Sequence, residues 1–288
     1  MEKDGILLIA IKEFMDYNET ILKNKIREGN PMAFMNLKFY SEALGMQTEV
    51  YVVIPQRSTA GEIGVETNAK ADKYKCLYLL HGLSDDHSIW LRRTSIERYA
   101  SEYGICVVMP AAARSFYTDM KYGQKYYTYI AKELPKIIRE FLNVSDKRED
   151  NFVAGLSMGG YGALKIALRE CDSFCAGAGL SPAADISHIL QDKERYMPLY
   201  GNVKKVPENE DLFCLAKKQN KNPNKPRLYI GIGTEDFLYE GNVRFRKLMD
   251  ELDYDFTYRE SAGTHCWEFW DEYIQYVLEW MLGKPEKT

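Results

Sequence analysis

The chain lacks any apolar run long enough to cross a membrane, and it lacks a block of basic residues. The apolar run Ile6–Ile11 ends at Lys12 and Glu13, so it is too short for a secretory signal or a bilayer span. A net charge of −4 and a pI near 5.7 give no electrostatic basis for binding nucleic acid or an anionic membrane. We therefore expect neither nucleic acid nor a membrane as a partner.

The cysteines follow no known motif spacing. Zinc sites and thiol redox sites need cysteines at short, fixed spacing, and the chain has no C-x-x-C pair. The adjacent His265 and Cys266 are only a weak metal signal, because no further ligands stand at zinc spacing. Cysteines without a disulfide framework indicate a cytoplasmic protein. The six are Cys76, Cys106, Cys171, Cys175, Cys214 and Cys266.

The length of 288 residues suffices for one large α/β domain with a small insertion. Residues 1–30 are predicted to form an N-terminal helical extension. Its amphipathic helix spans Ile6–Arg27 and ends at Gly29-Asn30-Pro31. Residues 31–288 are predicted to form the α/β domain, whose early polar loop spans Ser58–Lys73.

Short apolar strands alternate with helices through this domain. The predicted strands are Phe34–Tyr40, Thr48–Ile54, Lys75–Leu80, Ile105–Met109, Phe152–Leu156, Ala176–Leu180, Leu228–Ile232 and Phe256–Arg259. The predicted helices include Ile96–Tyr103, Gln124–Leu142 and Trp267–Leu282. This alternation predicts an α/β fold with a mostly parallel central sheet flanked by helices on both faces.

Residues 181–225 interrupt the alternation with about 45 residues that contain no clear strand. Helical patterns appear near Ile186–Tyr196 and Leu212–Lys218. In an open α/β sheet, an insertion that follows the C-terminal end of a strand lies over the site, which favours a small cap. A surface elaboration without a role in binding is the alternative.

Gly155-Leu156-Ser157-Met158-Gly159 is a G-x-S-x-G pattern between an apolar run and a helical pattern. This context is typical of a nucleophile elbow, a turn that exposes a serine above the N-terminus of a helix. The turn is too sharp for side chains two residues before and after the serine, which explains both glycines. Ser157 is therefore the predicted nucleophile.

A serine hydroxyl needs a base to accept its proton and an acid to orient that base. After a nucleophile elbow, the acid and then the histidine follow the serine along the chain. His81 and His87 precede Ser157, and His188 lies in the insertion with no acid ahead of it at a strand end. His265 follows the last predicted strand, so we predict it to be the base.

The acid is expected directly after the strand Leu228–Ile232, where the chain continues as Gly233-Thr234-Glu235-Asp236. Adjacent side chains point apart, so only one of the two acids can face His265. We predict Asp236 as the acid and keep Glu235 as the alternative.

An acyl-transfer site also needs backbone N–H groups that stabilise the oxyanion. One is predicted at Met158, the residue after the nucleophile, where the helix begins. The second is predicted at Leu83, because the strand before it ends in His81-Gly82 and the glycine lets the backbone approach closely. His81 is then expected to brace this loop rather than to take part in the chemistry.

Further blocks follow one another in a fixed order, namely His81-Gly82-Leu83-Ser84, Trp90-Leu91-Arg92-Arg93-Thr94, Ser115-Phe116-Tyr117-Thr118-Asp119-Met120, Glu133-Leu134-Pro135 and Gly233-Thr234-Glu235-Asp236. With these blocks and the serine motif, the chain resembles the esterase D / tributyrin esterase group of α/β hydrolases from about residue 34 onward. The resemblance implies the α/β-hydrolase fold. It also implies hydrolysis of acyl esters or thioesters through an acyl-enzyme, with no metal and no cofactor.

That group includes short-chain carboxylesterases, acetyl and feruloyl esterases, S-formylglutathione hydrolases and acyltransferases. The resemblance thus implies a small-molecule ester substrate with an acetyl, butyryl or feruloyl group. It leaves thioester hydrolysis, acyl transfer and self-association as a dimer or tetramer open. Trp90, Tyr117 and Phe237 are candidates to line an apolar acyl or aryl pocket. Trp267 and Trp270 stand at helical spacing, which fits core packing better.

Overall fold

The computed structural model describes residues 27–28, 31–57, 65–66 and 72–284. Eight strands form one large sheet, and a pair of two-residue strands forms a separate one. In chain order the strands are β1 (Arg27–Glu28), β2 (Met32–Ser41), β3 (Met46–Pro55), β4 (Val65–Glu66), β5 (Cys76–Leu80), β6 (Cys106–Pro110), β7 (Asn151–Leu156), β8 (Ala176–Leu180), β9 (Arg227–Gly233) and β10 (Phe256–Ser261).

Helices flank the large sheet and connect most of its parallel strands. Those in the described ranges are α1 (Ile89–Arg93), α2 (Ile96–Tyr103), α3 (Tyr126–Thr128, Tyr129–Glu133 and Leu134–Phe141 in succession), α4 (Met158–Arg169), α5 (Lys193–Tyr200), α6 (Leu212–Gln219), α7 (Tyr239–Glu251) and α8 (Trp267–Leu282). Short 3₁₀ turns lie at Arg148–Asp150 and Ser187–Gln191.

The strands of the large sheet have the order β10-β9-β8-β7-β5-β6-β3-β2. β3 pairs antiparallel with β2 and with β6, whereas all pairs from β6 to β10 are parallel. Leu80 of β5 lies opposite Gly155 of β7, which lies opposite Gly179 of β8. The predicted α/β fold with a mostly parallel sheet is therefore confirmed.

The strand order reverses at β5, which positions the site. From β5 the chain moves to β6 on one side, and it then continues with β7 on the other side. Such a reversal opens a crevice at the C-terminal ends of the strands, where ligands bind in open α/β sheets. The loop after β5 begins at His81 and the turn after β7 contains Ser157, so both predicted parts of the site meet at this crevice.

The core lies on both faces of the sheet. In the fully buried strand β5, Tyr78 and Leu80 belong to the core cluster that contains α4 side chains. Leu77 and Leu79 belong to the cluster that contains α8 side chains. Burial on both faces explains why the parallel strands are continuous apolar runs instead of alternating patterns.

The predicted N-terminal helix Ile6–Arg27 lies outside the described residues except at Arg27. This residue and Glu28 form β1, which pairs in parallel with β4. The predicted polar loop Ser58–Lys73 is described only at 65–66 and 72–73. The helical extension over residues 1–30 stays a prediction.

Two helices differ from the sequence-based assignment. The helix predicted over Gln124–Leu142 begins at Tyr126, ends at Phe141 and contains a π-helical turn at Tyr129–Glu133. Pro135 follows this turn and cannot donate a backbone hydrogen bond, so a wider turn relieves its clash with the preceding helix backbone. Helix α7 was not assigned from the sequence, because charged residues and Gly241 interrupt its apolar periodicity.

Residues 181–225 contain α5, α6 and one 3₁₀ turn, and none of them belongs to a strand. The helix predicted near Leu212–Lys218 is confirmed, whereas the pattern near Ile186–Tyr196 is a 3₁₀ turn followed by α5. The segment leaves the sheet at the C-terminal end of β8, the strand beside the serine strand β7. Its role as a cap stays a prediction.

Candidate active site

Ser157 lies in a strained turn between β7 and α4. Its backbone has φ 54° and ψ −117°, which side-chain-bearing residues rarely adopt. The Ser157 N–H donates to the carbonyl of Leu180 at 2.8 Å. A Cβ on Gly155 would lie closer than 3.0 Å to the Gly159 backbone, and a Cβ on Gly159 would lie equally close to the Leu80 carbonyl. The two predicted glycines are therefore required by close backbone contacts.

The structure brings the predicted serine, histidine and aspartate together. His265 Nε2 lies 3.0 Å from Ser157 Oγ, and His265 Nδ1 lies 2.8 Å from Asp236 Oδ2. The Asp236 side chain is fully buried, and its second oxygen accepts the Leu238 N–H at 2.8 Å. A carboxylate can only accept, so Nδ1 carries the proton and Nε2 is free to accept the serine proton.

Glu235, the alternative acid, has a different position. Its carboxylate accepts the Gly263 N–H at 2.5 Å, while its own N–H donates to the Gly263 carbonyl at 3.0 Å. This hydrogen bond lowers the pKa of the Glu235 carboxyl. A Cβ on Gly233 would lie closer than 3.0 Å to the Gly263 backbone. Glu235 thus fastens the loop that carries His265 to the turn that carries Asp236.

The loop after β5 lies against the serine turn. A Cβ on Gly82 would lie 2.8 Å from a Leu156 methyl group and 3.8 Å from Ser157 Cβ. Leu83 follows directly, and Met158 is the first residue of α4. The first N–H groups of a helix have no partner within the helix, so the Met158 N–H is available to a ligand. The two predicted oxyanion donors therefore belong to segments in close contact.

His81 braces this loop, as expected from the sequence. Its Nε2 accepts the Ala112 N–H at 2.9 Å, so its Nδ1 carries the proton and donates to the Gly82 carbonyl at 2.7 Å. The His81 carbonyl accepts the Tyr117 hydroxyl at 2.8 Å, a contact that sequence spacing could not reveal. Burial lowers the pKa of the His81 imidazole, which favours this neutral form.

Trp90 and Tyr117 do not have the accessible positions predicted for pocket residues. The Trp90 side chain is 1% exposed, donates from Nε1 to the Leu80 carbonyl at 3.1 Å and packs edge-on against Trp267. Tyr117 is fully buried, with its ring against Gly162. Proximity in sequence to the site does not determine where a side chain points. The structure gives both residues packing and hydrogen-bonding roles in place of the predicted substrate contact.

Phe237 has the exposed position that a substrate contact requires. Its side chain is 77% exposed, and its ring centroid lies 4.5 Å from that of His265. Trp270 packs edge-on against the same imidazole at 4.8 Å and is itself buried. His265 therefore lies between an exposed and a buried aromatic ring. Trp270 is also anchored by a hydrogen bond from Nε1 to Ser181 Oγ at 3.1 Å.

The insertion begins at the serine turn. The Ala183 N–H donates to the Ser157 carbonyl at 3.2 Å, and a Cβ on Gly160 would lie 3.0 Å from the Pro182 side chain. Farther along, the N–H groups of Lys121 and Tyr122 donate to carbonyls at the end of α5. The insertion therefore contacts two loops at the C-terminal edge of the sheet.

All six cysteines are free thiols, Cys266 included. In the described ranges, no group of three or more His, Cys, Asp or Glu side chains is arranged to hold a metal ion. Among the helices that the structure describes, none has the length and hydropathy needed to span a bilayer.

Comparisons with known proteins agree with this architecture. The family model described as "Putative esterase" matches residues 41–278. The acetyl esterase of Caldicellulosiruptor saccharolyticus is 28% identical over 263 residues, which cover 87% of this chain and 98% of that protein.

Two similar solved structures come from Staphylococcus aureus. The substrate-bound fluorophosphonate-binding serine hydrolase F is 33% identical, with a TM-score of 0.80 and coverage of 88% of this chain and 99% of that chain. The S-formylglutathione hydrolase apoenzyme is 32% identical, with a TM-score of 0.76 and coverage of 88% and 100%. Because the family match spans every strand of the large sheet except β2, together with the serine turn and the histidine loop, the chain belongs to the Esterase family and is a carboxylic ester hydrolase of the α/β-hydrolase fold.

Proposed function

We propose that this enzyme is a serine carboxylesterase that hydrolyses short-chain acyl or aryl esters through an acyl-enzyme on Ser157. The single observation that carries the proposal is the continuous hydrogen-bonded path from Ser157 Oγ through His265 to Asp236. That path begins at a residue in the strained backbone conformation of a nucleophile elbow.

In the acylation step, Ser157 Oγ attacks the ester carbonyl while its proton passes to His265 Nε2. The buried Asp236 carboxylate holds the Nδ1 proton and stabilises the imidazolium that forms. When the tetrahedral intermediate collapses, the C–O bond to the alcohol breaks and His265 returns the proton to the leaving oxygen. Water then repeats the sequence on the acyl-enzyme, which releases the carboxylic acid and restores Ser157.

The negative charge of each tetrahedral intermediate falls on the former carbonyl oxygen. We assign its stabilisation to the N–H groups of Met158 and Leu83. Met158 adds the positive end of the α4 dipole, and the Leu83 loop is held before reaction by His81. Because these donors are held in position before substrate binds, little reorganisation accompanies the reaction.

The proposed acyl groups are acetyl, butyryl and feruloyl. The acetyl esterase among the relatives supports the smallest of these. The exposed Phe237 ring beside His265 supports an apolar or aromatic acyl or alcohol group, since a flat aromatic surface favours such contacts. Under this proposal Phe237 is a substrate-binding residue.

Thioester hydrolysis is the second candidate. The S-formylglutathione hydrolase neighbour, at 32% identity over nearly its whole length, favours it. Acyl transfer to an alcohol would use the same three residues, with the alcohol replacing water in the second step. The proposal needs no cofactor or metal. The cytoplasmic location expected from the cysteines, and a dimeric or tetrameric state, stay predictions.

The experiment is a panel of 4-nitrophenyl esters from acetyl to octanoyl, with methyl ferulate and S-formylglutathione, each with and without added alcohol acceptors. We expect the highest kcat/KM on an acetyl, butyryl or feruloyl ester and mainly free acid as product. A kcat/KM that is at least about tenfold higher on S-formylglutathione would make the enzyme a thioesterase. Predominant formation of a new ester would make it an acyltransferase.

A further inference from the structure

A buried ion cluster lies behind the candidate site, and the mechanism above does not use it. Lys165 of α4 is fully buried, and its Nζ lies 2.6 Å from Glu210 Oε2. The same ammonium donates to Thr118 Oγ1 at 2.9 Å and to the Phe116 carbonyl at 3.0 Å. Arg169 binds the other oxygen of Glu210 at 3.0 Å. A buried lysine is rare unless it is paired in this way.

The cluster holds the segment Phe116–Thr118 by hydrogen bonds, and two residues of this segment have a strained backbone. Phe116 and Tyr117 have φ of 50° and 52°, in the left-handed region that residues with side chains seldom adopt. The Thr118 hydroxyl donates to Glu210 Oε2 at 2.5 Å, in addition to accepting from Lys165. The Phe116 carbonyl and the Thr118 hydroxyl are therefore fixed on either side of Tyr117.

Tyr117 connects this segment to the loop that carries Leu83. Its hydroxyl donates to the His81 carbonyl at 2.8 Å, and its ring fills space that a Cβ on Gly162 would occupy. The His81 side chain holds the next carbonyl, that of Gly82. The carbonyls of two successive peptide groups are thus each held by a side-chain hydrogen bond. The orientation of the second fixes the Leu83 N–H, because the carbonyl and N–H of a trans peptide lie in one plane.

We propose that Tyr117 is a positioning residue for the oxyanion donor Leu83, and that the Lys165–Glu210–Thr118 cluster sets the position of Tyr117. This inference rests on the proposed function, in which Leu83 stabilises the oxyanion. Glu210 belongs to the insertion 181–225, so the cluster also fastens the insertion to the helix of the nucleophile.

The first test compares Tyr117→Phe with Tyr127→Phe. Both tyrosines are buried, and each substitution removes one hydroxyl while keeping the ring. The Tyr127 hydroxyl donates to Glu170 at 2.6 Å. The Tyr127 ring packs against Arg169 and Lys165 of the cluster, and Tyr127→Phe keeps that ring, so this variant is the matched control for loss of one buried hydroxyl. For each variant we would measure thermal stability, kcat, KM and affinity for a trifluoromethyl ketone, which forms a tetrahedral oxyanion on the serine.

We expect Tyr117→Phe to lower kcat about tenfold with KM within about twofold of the wild type. The affinity for the trifluoromethyl ketone should fall by a similar factor. Tyr127→Phe should lose a comparable amount of stability but keep the wild-type kcat and the wild-type affinity for the trifluoromethyl ketone. If the two variants lose kcat equally, Tyr117 is only a core residue and the proposal is wrong.

The second test is a double-mutant cycle with Thr118→Val, which removes the hydroxyl between Lys165 and Glu210 at nearly constant volume. We expect this change to lower kcat several-fold in the wild type and to have no further effect in Tyr117→Phe. An equal loss in both backgrounds would show that the cluster does not act through Tyr117.

The rate of labelling by a fluorophosphonate tests the proposed function and the positioning role of Tyr117 separately. Its phosphoryl oxygen occupies the same oxyanion position, so Tyr117→Phe should be labelled more slowly than Tyr127→Phe even if no ester is a good substrate. A wild type that is labelled but hydrolyses no ester would contradict the proposed function. Equal labelling rates of the two variants would contradict the positioning role.

Discussion

Ser157, the proposed nucleophile, has a backbone conformation that destabilises the turn. A residue with a side chain at φ 54° and ψ −117° is strained by roughly 1–3 kcal/mol. The strain is maintained by the close contacts of Gly155 and Gly159 with neighbouring backbone. The backbone conformation that exposes the Ser157 hydroxyl therefore lowers the stability of the fold.

This strain can be measured with two inactive variants. Ser157→Gly and Ser157→Ala both remove the proposed nucleophile, but only glycine adopts the observed angles without strain. We expect the glycine variant to exceed the alanine variant in free energy of unfolding by about 1 kcal/mol, measured by urea denaturation. Equal stabilities would show that the serine turn is not strained.

The two adjacent acids should respond very differently to loss of charge. Asp236→Asn presents an N–H or a neutral oxygen to His265 and removes the charge that stabilises the imidazolium, so kcat should fall by roughly 10²–10⁴-fold. Glu235→Gln keeps an oxygen that can accept the Gly263 N–H and should lower kcat less than about tenfold. Steady-state kinetics on one ester decide between them, and a larger loss in Glu235→Gln would assign the acid to Glu235.

Residue identities could be predicted where chain order restricts the choice. Ser157, His265 and Asp236 follow from a motif, an order and positions after strands, and the structure brings these three side chains together. The direction of a side chain could not be predicted in this way. Trp90 and Tyr117 are near the site in sequence, yet both point into the core.

At the scale of elements, the eight strands of the large sheet were predictable to within about two residues. The inner strands β5 to β8 are buried on both faces, which makes each a continuous apolar run. The two-residue strands β1 and β4 were not predicted. The ends of α2 and α8 were predicted correctly, since Gly104 and Gly283 follow them with positive φ. The π-helical turn in α3 was not predictable, because it depends on how the helix accommodates Pro135 against the core.

The insertion is the element whose role is most open to a direct test. A cavity of about 360 Å³ lies between the α5 segment and the loop of Arg114 and Met120. We would replace residues 187–206 with a short Gly/Ser linker, which keeps Pro182, Ala183 and Glu210 in place. If the insertion caps the site, the ratio of kcat/KM on acetyl and on long or aromatic esters should change about tenfold or more, equivalent to about 1.4 kcal/mol.

Activity on acetyl esters should survive this replacement, since Ser157, Asp236 and His265 lie outside the segment. Circular dichroism and gel filtration would establish that the variant is folded. A folded variant with the parent's preference across the whole ester panel would make the insertion a surface elaboration.

At the scale of the whole molecule, the site depends on a strand order that local sequence patterns do not reveal. Local patterns predict a parallel sheet, but they do not predict that β5 lies between β6 and β7. That neighbourhood places the loop after β5 against the turn after β7. The Lys165–Glu210 contact is a further long-range feature, since a lysine in a helical pattern is more often solvated.

Buried Lys165 should also give the whole molecule a pH-dependent stability. Burial lowers the pKa of Lys165 to about 8, whereas the unfolded chain keeps the ordinary value of 10.5. Between these values the unfolded state binds more protons, so the Lys165 contribution to the free energy of unfolding rises with pH. Below about pH 8, Lys165 keeps its proton in the folded state and pairs with Glu210.

Comparison of the wild type with Lys165→Met isolates the contribution of Lys165 to the pH dependence of the free energy of unfolding. From pH 8 to pH 10, the difference in unfolding free energy, wild type minus variant, should increase by about 1–3 kcal/mol in urea denaturation. A difference that stays constant over this range would mean that the folded protein does not lower the pKa of Lys165.

The central claim is that one serine, activated by His265, carries the reaction. The most direct measurement is stoichiometric labelling with a fluorophosphonate, followed by peptide mapping by mass spectrometry, of the wild type, Ser157→Ala, His265→Ala and the control Ser84→Ala. The account predicts one label per chain on Ser157 in the wild type and in the control, none on Ser157→Ala, and a rate lower by orders of magnitude in His265→Ala. A label on Ser84 or Cys266, or undiminished labelling of Ser157→Ala, would contradict it.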